Sequence, residues 1–413
     1  MKENAVVAPS QELIDEIEQS LSRIFAENDS LTGWEYFQDI ARKYFLAPDP
    51  SAGAAYILGT GVPEELIHAI GGKPRWLIGG SFEVSQAADP FVPRDTDAVH
   101  RSIYGYALQN LRPEKNIMVV PIACDCQRKL AYCLSDKGWD VKPVDIPPDK
   151  RDDRFAQKLV IQYCRLIEDC SALGLLPGAG RRLHSAAKKV DFAKEQLAAF
   201  VEAAAARSDV ISGQKRIFII NSYYYAENLD EWTFRLRTLT EKIRALPKKN
   251  FRSKRPAVLI MGSPILFPNY KIPYLLEQVG IELHSCIDST TGQALRRMEM
   301  PKKNTKRAIL EGLANKQHDD DLSAGYVINS TFREEAARLV KEGEVSGVIY
   351  HVIKGQIEYD FELEHIEALF AQYDVPVFRV ETDYYENDVE QLRLRLEAFS
   401  EMLSMDIQTA AAV

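Results

Sequence analysis

The sequence predicts an α/β protein with two parallel-sheet domains on either side of a mainly helical middle segment. Three observations lead there. Short runs rich in Val and Ile, bounded by Gly, Pro or Asp, recur along the chain; stretches of helical periodicity lie between them; and residues 161–250 interrupt the alternation with charged, helix-forming sequence. The expected boundaries are 1–160 for a helical lead-in plus the N-terminal α/β domain, 161–250 for the helical segment, and 251–413 for the C-terminal α/β domain.

In chain order, the opening MKENAVVAPSQELIDEIEQS leads into an acidic amphipathic helix and lacks the basic start and apolar core of a secretory signal. RWLIGG (75–80), NIMVVPIA (116–123) and DVKPVDI (140–146) are then predicted as buried strands. EELIHAIGG and, further on, IPYLLEQVG space their apolar residues by three and four, which gives each one buried helical stripe. The middle segment holds the alanine-rich helix former LAAFVEAAAA (197–206) and one strand-like run, RIFIINS (216–222). Strands resume with AVLIMGS (257–263), IELHSC (281–286), GVIYHVI (347–353) and VPVFRVE (375–381).

Composition narrows the function. The 413 residues are 46% hydrophobic and 27% charged, enough for more than one buried core, and no stretch approaches the 18 consecutive apolar residues of a membrane span. A formal charge of −9 opposes nucleic-acid binding, so the expected partners include neither nucleic acid nor membrane, and the expected location is the cytoplasm. The basic clusters KKNFRSKR (248–255) and PKKNTKR (301–307) read as solvated loops, with attraction to the phosphates of a coenzyme A substrate as the other reading. Six cysteines without a disulfide framework fit reduced thiols.

In parallel sheets ligands sit beyond the carboxyl ends of the strands, so the strand exits carry the chemistry. At IACDC, Cys124 leaves a strand and Asp125 is the expected N-cap of the next helix. A thiol at a helix N-terminus has its thiolate favoured by the dipole, which makes Cys124 the most available of the local cysteines. The C-x-C-x6-C spacing matches no standard zinc or iron–sulfur pattern, and Cys126, Cys133, Cys164 and Cys170 read as packing. At MGSP, Gly262 and Ser263 are candidates to offer backbone N–H groups to a carboxylate or phosphate. At ETDYY, Glu381 and Asp383 are either an acid–base pair or structural capping carboxylates.

Taken in order, VPEELIHAIGGKPRWLIGG (62–80), PIACDCQRKLAY, VKPVDIPP (141–148), VLIMGSPILFPNYKIPYLLEQVGIELHSCIDSTTG (258–292), GVIYHVIKGQIEYDFE (347–362) and VPVFRVETDYYENDVEQLRLRLEAF (375–399) resemble one family. It is that of the core subunits of 2-hydroxyacyl-CoA dehydratases and benzoyl-CoA reductases, the 2-hydroxyglutaryl-CoA dehydratase D-component type. The resemblance implies two similar flavodoxin- or Rossmann-like domains, pairing in a pseudo-symmetric dimer, and an oxygen-sensitive [4Fe–4S] cluster held by three cysteines. It also implies an ATP-dependent activator that injects one electron, with cluster and acyl-CoA carrying the reactive chemistry.

Carried over by position, the three ligand sites fall at Asp97, Cys124 and Gly355, so one thiolate of three remains. A single cysteine cannot hold a cluster that depends on several soft thiolates. Cys126, His351 and the Asp97 carboxylate are the remaining donors for an altered metal site. The family's acyl-handling acid corresponds best to Glu65, which equally suits simple complementation of a helix N-terminus.

The expectation is therefore a heterodimeric subunit that lacks the cluster and contributes interface and acyl-CoA pocket to a dehydratase or aryl-CoA reductase complex of anaerobic metabolism. No cofactor is expected in the isolated chain, and the [4Fe–4S] cluster is expected in a paralogous partner. Two alternatives stand beside it. One is an active iron–sulfur enzyme with atypical ligands; the other is a cluster-free acyl-CoA or small-molecule binding protein.

Overall fold

The structure, a computed structural model, describes residues 8–25, 31–49, 54–93, 95–114, 116–171, 179–247, 255–342 and 345–412. The basic cluster at 248–255 thus lies outside the described residues apart from Arg255. Two lead-in helices, α1 (Gln11–Ile24) and α2 (Glu35–Leu46), come first; Ser10 caps α1 by accepting the Leu13 N–H at 3.1 Å.

The first sheet and its helices are β1 (Ala54–Leu58), α3 (Glu64–Ala69), β2 (Lys73–Leu77), α4 (Phe82–Gln86), α5 (Ala98–Asn110), β3 (Ile117–Ile122), α6 (Asp125–Asp136) and β4 (Asp140–Asp145). Four helices follow: α7 (Phe155–Ser171), α8 (Ala179–Ala205), α9 (Gly213–Tyr225) and α10 (Leu229–Ala245). The second unit is β5 (Ala257–Gly262), α11 (Lys271–Gln278), β6 (Glu282–Ile287), α12 (Ser289–Leu295), α13 (Lys306–Asp320), α14 (Ser330–Lys341), β7 (Gly347–Ile353), α15 (Glu358–Ala371), β8 (Val377–Thr382) and α16 (Val389–Ala412).

Both sheets are four-stranded and parallel, in the orders β2-β1-β3-β4 and β6-β5-β7-β8. Counted within its own half, each reads 2-1-3-4, so the two similar parallel-sheet domains expected from the sequence are present. Each order reverses between its first and third strands, and the crevice that this leaves at the carboxyl ends is where such sheets bind ligands. Among the described residues no helix is long and apolar enough to cross a membrane.

Residues 216–222, predicted as a strand, are a correction: they lie inside α9. Every residue of α9 is buried, because it packs against helices α2, α8, α11 and α12 and against strands β2 and β6. A helix enclosed on all sides has no polar face, so its sequence carries no 3.6-residue alternation and its Ile and Tyr residues imitate a buried strand. Strand β1 shows the opposite failure. Its AAYIL is wholly buried beside β2 and β3, yet two alanines in five residues leave little β signal.

The lead-in is tied to the first sheet by a carboxylate that titrates near neutrality. Glu16 of α1 accepts the Phe82 N–H at 2.7 Å and the Ser81 hydroxyl at the start of α4. Burial, partly offset by those hydrogen bonds, raises its pKa from 4.5 to about 7. The folded state therefore binds a proton that the unfolded chain releases. That contribution is complete below pH 4.5 and is lost as pH rises through about 7. Glu16→Gln keeps the acceptor and removes the titration, so its urea-denaturation stability is expected to lose the decline between pH 4.5 and 7 and to exceed the parent's above it by on the order of 2 kcal/mol. An unchanged slope would contradict this.

Candidate active-site cleft

The loops leaving β1, β3, β5 and β7 face one another across a solvent-open cleft of about 960 Å³, with His100, Cys124, Gln356 and Glu358 on its wall. Both switch points thus open onto the same space. The third strand of the first sheet delivers Cys124, which is the N-cap of α6. The expectation that Asp125 caps this helix is corrected, since Asp125 is its first residue. The cap falls one residue earlier because Gln127 folds back: its Oε1 accepts the N–H groups of Ala123 at 2.8 Å and Cys124 at 3.3 Å, while the Cys124 side chain accepts the Gln127 N–H.

Asp97 caps α5 across the cleft. It is 2% exposed, and it accepts the His100 backbone N–H at 3.1 Å, the His100 ring at 2.6 Å and the Gln356 amide at 3.2 Å. Burial disfavours charge on both members of the pair, but mutual attraction outweighs it: the Asp97 pKa is lowered and that of His100 is raised well above 6.5. An ionised carboxylate only accepts, so His100 Nδ1 is the donor. His100 and Cys124 share the cleft wall.

Gly355 completes the set of three carried-over positions. Its φ is +94°, and a Cβ there would stand 2.9 Å from the Asp95 carbonyl oxygen and 3.2 Å from the Asp97 Cβ. Gly355 thus packs on Asp97, whose partner His100 shares the cleft wall with Cys124, and the three positions are one Asp, one Cys and one Gly. For a [4Fe–4S] cluster the fit is poor. Asp97 is committed to three hydrogen bonds, Gly355 supplies no donor and leaves no room for a thiol without backbone movement, and one soft ligand remains.

His351 does not join the set. Its Nδ1 donates to the Ser263 carbonyl at 2.9 Å, and burial lowers its pKa to about 4, so the ring is neutral. Cys126, read from the sequence as packing, does come close. Among the described residues Asp97, His100 and Cys126 are the one acidic, imidazole and thiol group whose donor atoms lie within 4.8 Å of one another. Burial pushes the Cys126 thiol up to about 11. The remaining cysteines, Cys133, Cys164, Cys170 and Cys286, are free and half-buried or buried.

Gly262 and Ser263 stand at the end of β5, where the Ser263 N–H donates to the His351 carbonyl at 2.8 Å and the Ser263 hydroxyl accepts the Ile353 N–H at 2.9 Å. Their polar groups are engaged within the sheet, and Pro264 and Leu266 form the cleft wall instead. Glu381 and Asp383 are ion-paired with Arg379 at 3.0 Å and Lys354 at 3.4 Å. In the basic stretch 301–307, Lys302 and Lys303 are exposed and Arg307 pairs with Glu311 at 2.8 Å.

Glu65 lies behind the cleft, in a buried charge network. Lys316 Nζ is 3.4 Å from Glu65, the other Glu65 oxygen makes no hydrogen bond, and the neighbouring Glu64 accepts the Trp76 N–H at 2.9 Å and the Tyr223 hydroxyl. Lys194 donates to the Gln293 carbonyl at 2.6 Å. Burial raises Glu64 to about 7 and, with Lys316 nearby, lowers Lys194 to about 7. For Glu65 burial raises the pKa, but the two lysine charges win and the net shift is downward. The sequence marked Glu65 and missed Lys194 and Lys316, whose lysines on amphipathic helices resemble ordinary surface residues. His100 had a legible signal, since it follows the capping Asp97 at the third position.

Paired 2-1-3-4 parallel sheets whose strand exits open onto one cleft define an α/β protein with its candidate site between the two sheets. The family described as 2-hydroxyglutaryl-CoA dehydratase, D-component, matches residues 60–403, and the chain belongs to it. The chain is similar to the (R)-phenyllactyl-CoA dehydratase beta subunit of Clostridium sporogenes, 23% identical over 83% of this chain and 89% of that one. It is also similar to the putative dehydratase subunit YjiM of Escherichia coli (strain K12), at 23% identity over 83% of this chain and 90% of that one.

Proposed function

We propose that this chain is a cluster-lacking partner subunit that contributes interface and acyl-CoA pocket to a complex dehydrating 2-hydroxyacyl-CoA or reducing aromatic acyl-CoA. The observation that carries this reading is a cleft wall that holds Cys124 and His100, with Asp97 behind His100 and Gly355 packed on Asp97, so that the scaffold is intact while the donor set is not. Membership of the dehydratase family supports the substrate class, and the two-subunit habit of such enzymes supports a paralogous partner that holds the [4Fe–4S] cluster. An ATP-hydrolysing activator then reduces the partner's cluster. The cleft of this chain contributes walls that exclude water from the bound acyl group.

Co-expression with a cluster-bearing paralogue and activator, under anoxic conditions, is the test. The expected result is a heterodimer with dehydratase or reductase activity that neither chain shows alone. Full activity of the paralogue without this chain, or failure of the two to associate, would overturn the reading.

A further inference from the structure

We infer that a second pocket, separate from the cleft, binds a small aromatic carboxylate, with Tyr56 and Arg75 holding the carboxylate and a wall of tyrosine and tryptophan rings holding the aromatic group. The pocket has a volume of about 780 Å³ and shares no lining residue with the cleft, so this reading stands apart from the proposed acyl-CoA pocket. Helices α2 and α5, strands β1 and β2 and the turn between α9 and α10 enclose it.

Most of the wall is ring surface. Tyr44 stacks on Tyr106 with centroids 4.9 Å apart, and Trp76 meets Tyr224 edge-on at 5.4 Å. The fold already uses the hydroxyls of its neighbours: Tyr44 donates to the Trp76 carbonyl at 3.0 Å, Tyr106 to the Tyr44 carbonyl at 2.6 Å, Tyr225 to the Phe267 carbonyl at 3.3 Å, and Tyr224 to the Thr290 carbonyl. What these side chains have left to offer a ligand is the faces and edges of their rings, which favour another aromatic ring over an aliphatic group. Tyr56 breaks the pattern. It is 2% exposed, it lines the pocket, and its hydroxyl makes no hydrogen bond among the described residues. A buried hydroxyl without a partner costs free energy, and an incoming oxygen relieves that cost.

Arg75 supplies the charge. It is the register partner of Tyr56 across β1 and β2, so the two side chains stand next to each other on one face of the sheet. Among the described residues its guanidinium makes one ion pair, with Glu227 at 3.3 Å, and Glu227 has Lys43 as a second partner at 2.6 Å. Arg75 therefore has N–H groups to give a carboxylate, and Glu227 stays paired when it does. The acids at the rim, Asp49 and Glu231, are exposed, where water and salt screen them from a bound anion.

Isothermal titration calorimetry of the full chain with phenylacetate is the test. Cyclohexylacetate lacks the aromatic ring and phenylacetamide lacks the charge; each is expected to bind about fivefold more weakly or worse. Tyr56→Phe keeps the ring and removes the hydroxyl. It is expected to weaken phenylacetate about tenfold while the thermal midpoint of the ligand-free chain stays equal or rises, because the free protein loses no hydrogen bond. A purely structural tyrosine would give the reverse pattern. Arg75→Gln is likewise expected to weaken phenylacetate about tenfold or more. The inference is overturned by any of four results: no binding of phenylacetate at millimolar concentration, equal affinity in the parent and both variants, cyclohexylacetate binding as tightly as phenylacetate, or a Tyr56→Phe chain with a lowered midpoint and unchanged affinity.

Discussion

Lys316→Met is expected to lower the free energy of unfolding by about 3–5 kcal/mol at neutral pH. Lys316 of α13 and Glu65 of α3 are 7% and 2% exposed and face each other at 3.4 Å where both helices pack on α7 and α8. Removing the ammonium leaves a buried carboxylate whose second oxygen already lacks a hydrogen-bond partner. Lys194 then provides the remaining nearby positive charge, and its own pKa has been lowered to about 7 by burial. Glu65 relieves the loss by taking up a proton, so the penalty grows as pH rises. The double variant Lys316→Met/Glu65→Gln removes the orphaned charge and is expected to recover more than half of the deficit. Chemical denaturation of the three proteins measures this; a single-variant loss under 1 kcal/mol would contradict the network.

Gly262→Ala is the second large effect, with an expected loss of about 3 kcal/mol or more from overpacking and left-handed strain together. Gly262 has φ +119°, and a Cβ there would stand 2.2 Å from the His351 carbonyl oxygen. That oxygen belongs to the neighbouring strand and accepts the Ser263 N–H, so it cannot swing aside as a long side chain does. The alanine would pry β5 from β7 at the end that faces the cleft. Gly280→Ala is the control: its φ is +78° but a Cβ meets nothing within 4 Å, so about 1 kcal/mol of backbone strain alone is expected. Equal losses in the two variants would sink the close-approach explanation.

The contrast between these residues and the sequence shows what was legible. Strands such as β3 and β7 announced themselves because a fully buried parallel strand is a short apolar run with its ends marked. Helix α9 misled because burial on every side erased the periodicity that distinguishes helix from strand. Cys124 was legible from its place at a strand exit, whereas its sharing of one cleft wall with His100 was not, since 24 positions and a strand separate two helix termini that only tertiary packing brings together. Glu65 was visible for its position at the start of α3 and its lysine partner was invisible, because a sequence separation of 251 hides the contact.

The central claim is that the donors meeting at the cleft do not make a cluster-binding set in this chain. Iron and acid-labile sulfide content of the isolated chain, purified and reconstituted under anoxic conditions, test it most directly. The account predicts substoichiometric iron that a Cys124→Ser change leaves unaltered. Four irons and four sulfides per chain, lost on that substitution, would contradict it.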